Sequence, residues 1–137
     1  MKKEVEQIAL LVLDREKIDW DEIAIYFVKK NTISSLHGQF FDDPSPTDCI
    51  TFPLDPPKKK SSSFCFLGEI FICSAVALDY ADLHKTNPEE EQRLYLIHAL
   101  LHLSGYKDQT PCDKKKMRKK EKIYMKMFSQ LMGKKIR

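Results

Sequence analysis

Val5, Ile8, Leu11 and Val12 recur at helical spacing and predict an opening helix over roughly residues 3–14. From Ile23 to Val28 both alternating sets are apolar, which reads as a strand covered on both faces. A short helical turn is expected around residues 32–40, then a turn at Asp42-Asp43-Pro44-Ser45-Pro46 and a second strand at 49–52. Residues 53–63, PLDPPKKKSSS, read as a solvated, mobile loop. Residues 64–73, FCFLGEIFIC, have the look of one or two strands, with Gly68 marking a bend or a close approach.

Three helices complete the pattern. One is expected over roughly 74–84. The next opens at Asn87-Pro88-Glu89-Glu90-Glu91, with a capping Asn, Pro in the first turn and acids at the positive dipole end. It should run to about Ser104 and stop at Gly105. The last, about 113–132, puts Met117, Tyr124, Phe128 and Leu131 on one face and Lys115, Arg118, Lys119, Lys122 and Lys126 on the other. Helices and strands mix without βαβ alternation or internal repeats. The expected class is α+β: a single domain over 1–137, with a small mixed sheet packed by helices.

Composition narrows the function classes. A chain of 137 residues with 42% hydrophobic and 31% charged content can bury one normal core. No apolar run nears the ~20 residues a bilayer span needs. The run Ile8–Leu13 is too short, and too acidic at its start, for an export signal. A cytoplasmic location away from membranes is therefore expected. Cys49, Cys65, Cys73 and Cys112 form no C-x-x-C pair and read as reduced thiols packed mostly in or near the core.

Net charge is only +3, yet from Lys107 to Arg137 twelve Lys or Arg stand against three acids. Such a stripe suits an anionic partner, nucleic acid first, or else a solvated helix face with a basic tail.

The residues with most chemical content are His98-Ala-Leu-Leu-His102-Leu-Ser-Gly105-Tyr-Lys-Asp108. A separation of four stacks both imidazoles on one helix face, where they can chelate one ion. Gly105 lets the chain turn back, and Asp108 can return a carboxylate to that ion. The spacing H-x-x-x-H-x-x-G-x-x-D matches the metzincin zinc spacing, with Asp in third place. Ala99 stands where those proteases carry their general-base Glu, so peptide hydrolysis by that route is set aside. The neighbouring Leu94, Leu96, Ile97, Leu100, Leu101 and Leu103 make the helix very apolar, and two imidazoles in such surroundings need partners. A metal would supply them; packed histidines with satisfied hydrogen bonds are the plainer reading.

This segment resembles the signature of the YbeY family of endoribonucleases, H-G-x-x-H-L-x-G-Y-D-H, at His98, His102, Leu103, Gly105 and Tyr106. Pro46-Thr47-Asp48-Cys49-Ile50-Thr51-Phe52-Pro53 is similar to the family's P-T-D-V-L-S-F-P, and Leu67-Gly68-Glu69-Ile70 to its L-G-D-I. Asp108 stands where the family has His, Ala99 where it has Gly, and His37 and Phe41 where it has Asn and Arg. A carboxylate third ligand lowers the charge of the centre and makes a metal-bound water less acidic. Two His and one carboxylate hold zinc or another divalent ion, iron(II) included. Cys112 and Asp113 are the other residues in reach of it.

The resemblance implies a metal-dependent hydrolase of single-stranded RNA, acting at the 3′ end of small-subunit rRNA and in ribosome quality control. Its partners would be rRNA and the small ribosomal subunit, with no DNA. In that reading His98 and His102 are catalytic as metal ligands, beside Asp108, and the cofactor is one zinc ion. Lys58, Lys59, Lys60, Lys115, Arg118, Lys119 and Lys122 are candidates for phosphate contacts. Thr47, Asp48, Thr51 and Gly105 line or support the cleft. The rival reading, favoured by Phe41 and Asp108, is a non-catalytic metal-binding factor of ribosome assembly.

Overall fold

The computed structural model describes residues 2–43, 45, 47–56 and 64–136. Among them the elements run α1 (Lys2–Arg15), β1 (Glu22–Phe27), α2 (Lys30–Phe41), β2 (Cys49–Pro53), β3 (Phe66–Ile72), α3 (Ser74–His84), α4 (Pro88–Leu103) and α5 (Pro111–Ile136). The α+β class and the mixed sheet are as expected. The sheet has the order β1-β3-β2, with β1 parallel and β2 antiparallel to β3.

A helix apolar on nearly all sides belongs in the middle of a fold. α4 is that helix, with Tyr95, Leu96, Ile97, Ala99, Leu100, Leu101 and Leu103 all buried. α1, α3, α5, β2 and β3 all pack on it. Its start is as anticipated: the Asn87 side chain accepts from the N–H groups of Glu89 at 2.8 Å and Glu90 at 3.3 Å. Arg93 ties it to its neighbours, pairing with Glu4 of α1 and lying over the Phe128 ring of α5 at 5.4 Å.

On the sheet, Leu67, Ile70 and Ile72 are all buried in the main core with α1 and α4, although strict alternation would put Leu67 on the opposite face. A register shift between β1 and β3 explains this. Glu22 pairs Phe66 and Ile23 pairs Gly68, so Leu67 is the extra residue of a bulge. The opposite face holds a smaller cluster, Ile33 of α2 with Ile50 and Cys73, flanked by Phe52 and Phe71.

Three expectations need correction. β1 is not covered on both faces: Tyr26 and Phe27 are 44% and 39% exposed, because β1 is a sheet edge and α2 lies over β2 instead. The turn expected at 32–40 is a helix of 12 residues, since burial of Ile33 against the sheet supplies what its weak pattern lacks. On α5, Met117, Tyr124 and Phe128 are buried but Leu131 is 46% exposed. None of the four cysteines is in a disulfide; Cys65 and Cys73 are buried, Cys49 half-buried and Cys112 exposed. No helix among the described residues is long and apolar enough to cross a membrane.

Gly68 is a close approach rather than a bend. A Cβ there would sit 2.6 Å from the Phe52 carbonyl oxygen and 2.7 Å from Leu103 Cδ2. The methyl of Leu103 can move, but the β2 backbone cannot without breaking the ladder. Gly68→Ala should therefore lower unfolding stability by about 1–3 kcal/mol, read from the urea midpoint, by prising β3 from β2 and α4.

Candidate metal centre

His98 and His102 lie one turn apart on the last two turns of α4, at the edge of the apolar core. Their Nε2 atoms face each other at 3.0 Å and the rings stand nearly perpendicular, at 86°. Each Nδ1 is engaged on the far side. His98 Nδ1 lies 2.5 Å from Glu121 Oε2, and His102 Nδ1 lies 3.0 Å from the carbonyl oxygen of Tyr106.

A carbonyl can only accept, so His102 carries its proton on Nδ1. Glu121 is 4% exposed; burial alone would raise its pKa, but His98 and then Arg118 outweigh that and hold it below the ordinary carboxylate range. It is therefore an acceptor too, and His98 Nδ1 is the donor. A neutral imidazole that donates from Nδ1 carries its lone pair on Nε2, and the two Nε2 atoms are the ones that face each other. Burial, then the neighbouring His98, push the His102 pKa down, which keeps this imidazole neutral and able to ligate.

The turn after α4 brings the third group. Gly105 has φ 110°, a backbone state that side chains disfavour. The N–H of Tyr106 bonds the Leu101 carbonyl at 3.0 Å and that of Gly105 bonds His102 at 3.1 Å, a Schellman end to the helix. The same turn delivers the Tyr106 carbonyl to His102. It also returns Asp108, whose Oδ2 lies 3.8 Å from His98 Nε2 and whose Oδ1 is buried with no hydrogen-bond partner among the described residues. One ligand atom each from His98, His102 and Asp108 lie within 4.8 Å of one another. Two facing Nε2 atoms and an orphaned carboxylate oxygen fit a divalent cation, and each imidazole already has the outer partner that fixes a metal-binding tautomer.

Behind this lies a further carboxylate. Glu16 accepts from the Tyr106 hydroxyl at 2.8 Å, from Lys120 Nζ at 3.2 Å and from the Tyr124 hydroxyl. It thereby pins the residue whose carbonyl orients His102. The sequence reading missed both Glu16 and Glu121. Glu121 had a visible signal: it is the one acid on the apolar stripe of Met117, Tyr124 and Phe128. Glu16 had none, because its partners come from α5 and the turn at 106.

Two clefts open on the imidazoles. One, about 330 Å³, is lined by His37, Phe41, Asp48, Thr51, His98 and His102 among others. The second, about 500 Å³, is bounded by Asp48, Tyr80, Glu91, His98, Asp108 and Arg118 among others. Of the motif-support residues, Asp48 and Thr51 line the first, whereas Thr47 stands 3.5 Å from the Asp48 carboxylate and lines neither. Of the basic candidates, Arg118 lines the second cleft, and Lys115, Lys119 and Lys122 are exposed and line neither. Lys58, Lys59 and Lys60 lie outside the described residues. Cys112 and Asp113 do not join the ligand group, and Asp113 instead caps α5 with Thr110.

The family model described as Endoribonuclease YbeY matches residues 1–129. The chain belongs to the YbeY family. A relative from Protochlamydia amoebophila, named Endoribonuclease YbeY, is 50% identical over 97 residues, 71% of this chain and 63% of that protein. Relatives of the same name from Chlamydia pneumoniae and Chlamydia abortus are 40% and 38% identical over 85% of this chain and 75% of theirs. The chain thus spans about two thirds to three quarters of the YbeY relatives it matches. The solution structure of TM1509 from Thermotoga maritima shares the fold, with a TM-score of 0.69 over 97% of this chain and 84% of that one, at 24% identity.

The Glu16 network carries a pH signature. Burial opposes its charge, but hydrogen bonds from Tyr124, Tyr106 and Lys120 win and lower its pKa below 4.5. Its contribution is therefore complete above the unfolded carboxylate value and disappears as pH falls through the lower folded one. Glu16→Gln should cost stability at pH 7 and progressively less below about pH 4.5, when urea midpoints of the two proteins are compared across pH.

Proposed function

We propose that this chain is a metal-dependent endoribonuclease acting on single-stranded RNA, with one zinc ion held by His98, His102 and Asp108. The observation that carries the reading is the orphaned Asp108 oxygen beside two imidazoles whose outer nitrogens are already committed. Membership of a family whose relatives are named endoribonucleases supplies the substrate class. Its setting is the cytoplasm, at the small ribosomal subunit, in maturation of the rRNA 3′ end and in ribosome quality control.

A divalent ion at this site supplies Lewis acidity toward a phosphoryl oxygen or a water molecule. The chain's own groups do the rest. Glu121 and the Tyr106 carbonyl hold both imidazoles in the ligating tautomer. Asp48 and Thr51 shape the cleft in which a strand meets them. Asp108, an anion where the family pattern has a neutral imidazole, tempers the acidity of the centre, so cleavage should be slow rather than absent.

The decisive comparison is cleavage of a labelled single-stranded RNA by wild type, His102→Ala and chelator-treated protein. Wild type should cut and the other two should not; a wild type as inert as His102→Ala would leave the non-catalytic assembly factor, which Phe41 in the cleft favours. Zinc binding supplies an independent check. Glu121→Gln should weaken zinc affinity by roughly 10- to 100-fold in a competition assay, and an unchanged affinity would remove Glu121 from the centre.

A further inference from the structure

Several large apolar side chains are exposed on this chain, but among the described residues Phe41 is the one of them that lines the cleft holding both imidazoles. Phe41, the last residue of α2, is 54% exposed and lines the first cleft with His37 and His98. Its ring meets His37 at 5.6 Å and Phe52 at 6.4 Å, and over half of the residue is exposed. Phe40 beside it is 56% exposed and packs edge-on to Phe52. An aromatic face left open next to polar, ligand-competent groups suits a flat π-surface, and every nucleobase has one.

Across the centre stands Arg118. Among the described residues it is the sole Lys or Arg lining either cleft. Its Nη1 bonds both oxygens of Glu121, at 3.1 and 3.2 Å, while 59% of the side chain stays exposed. The same carboxylate thus contacts His98 and anchors the guanidinium through Nη1 alone. Carboxylates surround it: Glu121 is ion-paired with Arg118, and Asp108 stands in the candidate ligand group. Asp48, which accepts the Cys49 N–H at 2.7 Å, and Glu91 complete the acidic lining, so Arg118 is its sole positive side chain among the described residues and would hold a phosphate together with a cation at the centre. Asp48 and His98 line both clefts, so the two adjoin at these residues and offer a strand a passage past the centre.

Resting on the endoribonuclease reading, we propose that Phe41 and Arg118 grip the RNA from opposite sides of the metal centre, Phe41 by stacking a base and Arg118 by binding a phosphate. The two contacts differ in their salt signature. A phosphate contact releases counterions, so losing it flattens the slope of log affinity against log salt by about 0.7 for a single strand. A stacking contact leaves that slope alone and needs the base.

The test is fluorescence anisotropy of the zinc-loaded protein with a short 5′-labelled single-stranded RNA, on ice, the strand checked intact afterwards. Arg118→Ala should reduce the slope by about 0.7, and Arg118→Lys should keep it. Phe41→Ala should weaken binding by roughly 5- to 150-fold at unchanged slope, Phe41→Tyr should bind as wild type, and the Phe41→Ala loss should disappear on an abasic strand. Phe41 is exposed, so its variants should keep the wild-type zinc content and thermal midpoint, whereas Arg118 supports Glu121 and its variants are compared at full zinc occupancy, measured for each sample. An unchanged slope in Arg118→Ala, or wild-type binding by Phe41→Ala, overturns the proposal while a wild type that still cuts RNA leaves the endoribonuclease reading standing. A wild type that neither binds nor cuts overturns both.

Discussion

Two imidazoles at the end of a buried helix are the constraint on which the rest of this structure turns. α4 can occupy the centre of the molecule because, from Leu94 to Leu103, every side chain on it but two is apolar. His98 and His102 break that rule and bring four ring nitrogens to the edge of the core. Buried polar atoms without partners cost about 1–3 kcal/mol each, so the surrounding elements must answer them. Two nitrogens are answered by the protein itself, through Glu121 and the Tyr106 carbonyl. The other two are left facing Asp108, and that residue is what turns a packing problem into a ligand set.

The same demand explains features that look unrelated. Gly105 is needed because the helix must end in a turn that sends a carbonyl back to His102 and a carboxylate back to the pair. Glu16 closes the end of α1 onto Tyr106, Lys120 and Tyr124, so three segments far apart in sequence share one anion. Burial raises the Tyr106 and Tyr124 pKa values, and the Glu16 charge raises them further, so both phenols stay protonated donors. Gly68 lets β2 and α4 approach β3 closely enough for Thr51 and His98 to line one cleft. Each of these positions serves the site without touching what the site would bind.

Chemistry and surface therefore divide along the chain. The rigid part, α4 with its turn and α5, holds the imidazoles and carboxylates. The walls of the passage come from α2, β2 and α3, which carry Phe41, Thr51 and Tyr80. Phe41 makes one wall aromatic, while Arg118 brings a guanidinium to the other. The basic stripe of α5 is thereby split: Arg118 belongs to the passage, and Lys115, Lys119 and Lys122 remain on the solvated face.

Much of this was legible before any coordinates. The four-residue spacing of His98 and His102, the stop at Gly105 and the cap at Asn87 are local signals, because helix period and turn conformation depend on neighbours along the chain. So the helices near the site, the α+β class and the group His98, His102 and Asp108 could be read from the order of residues alone. The bulge at Leu67, the exposed edge of β1 and the length of α2 could not, since they depend on which strand pairs with which. Nor could the roles of Glu121 and Glu16, 23 and 90 residues away from the groups they serve in His98 and Tyr106. An amino-acid sequence specifies the candidate ligands because they sit within one turn and one helix. Only the packing of α1 and α5 on that helix decides which nitrogens point inward, because a hydrogen bond between distant segments exists nowhere but in the folded chain.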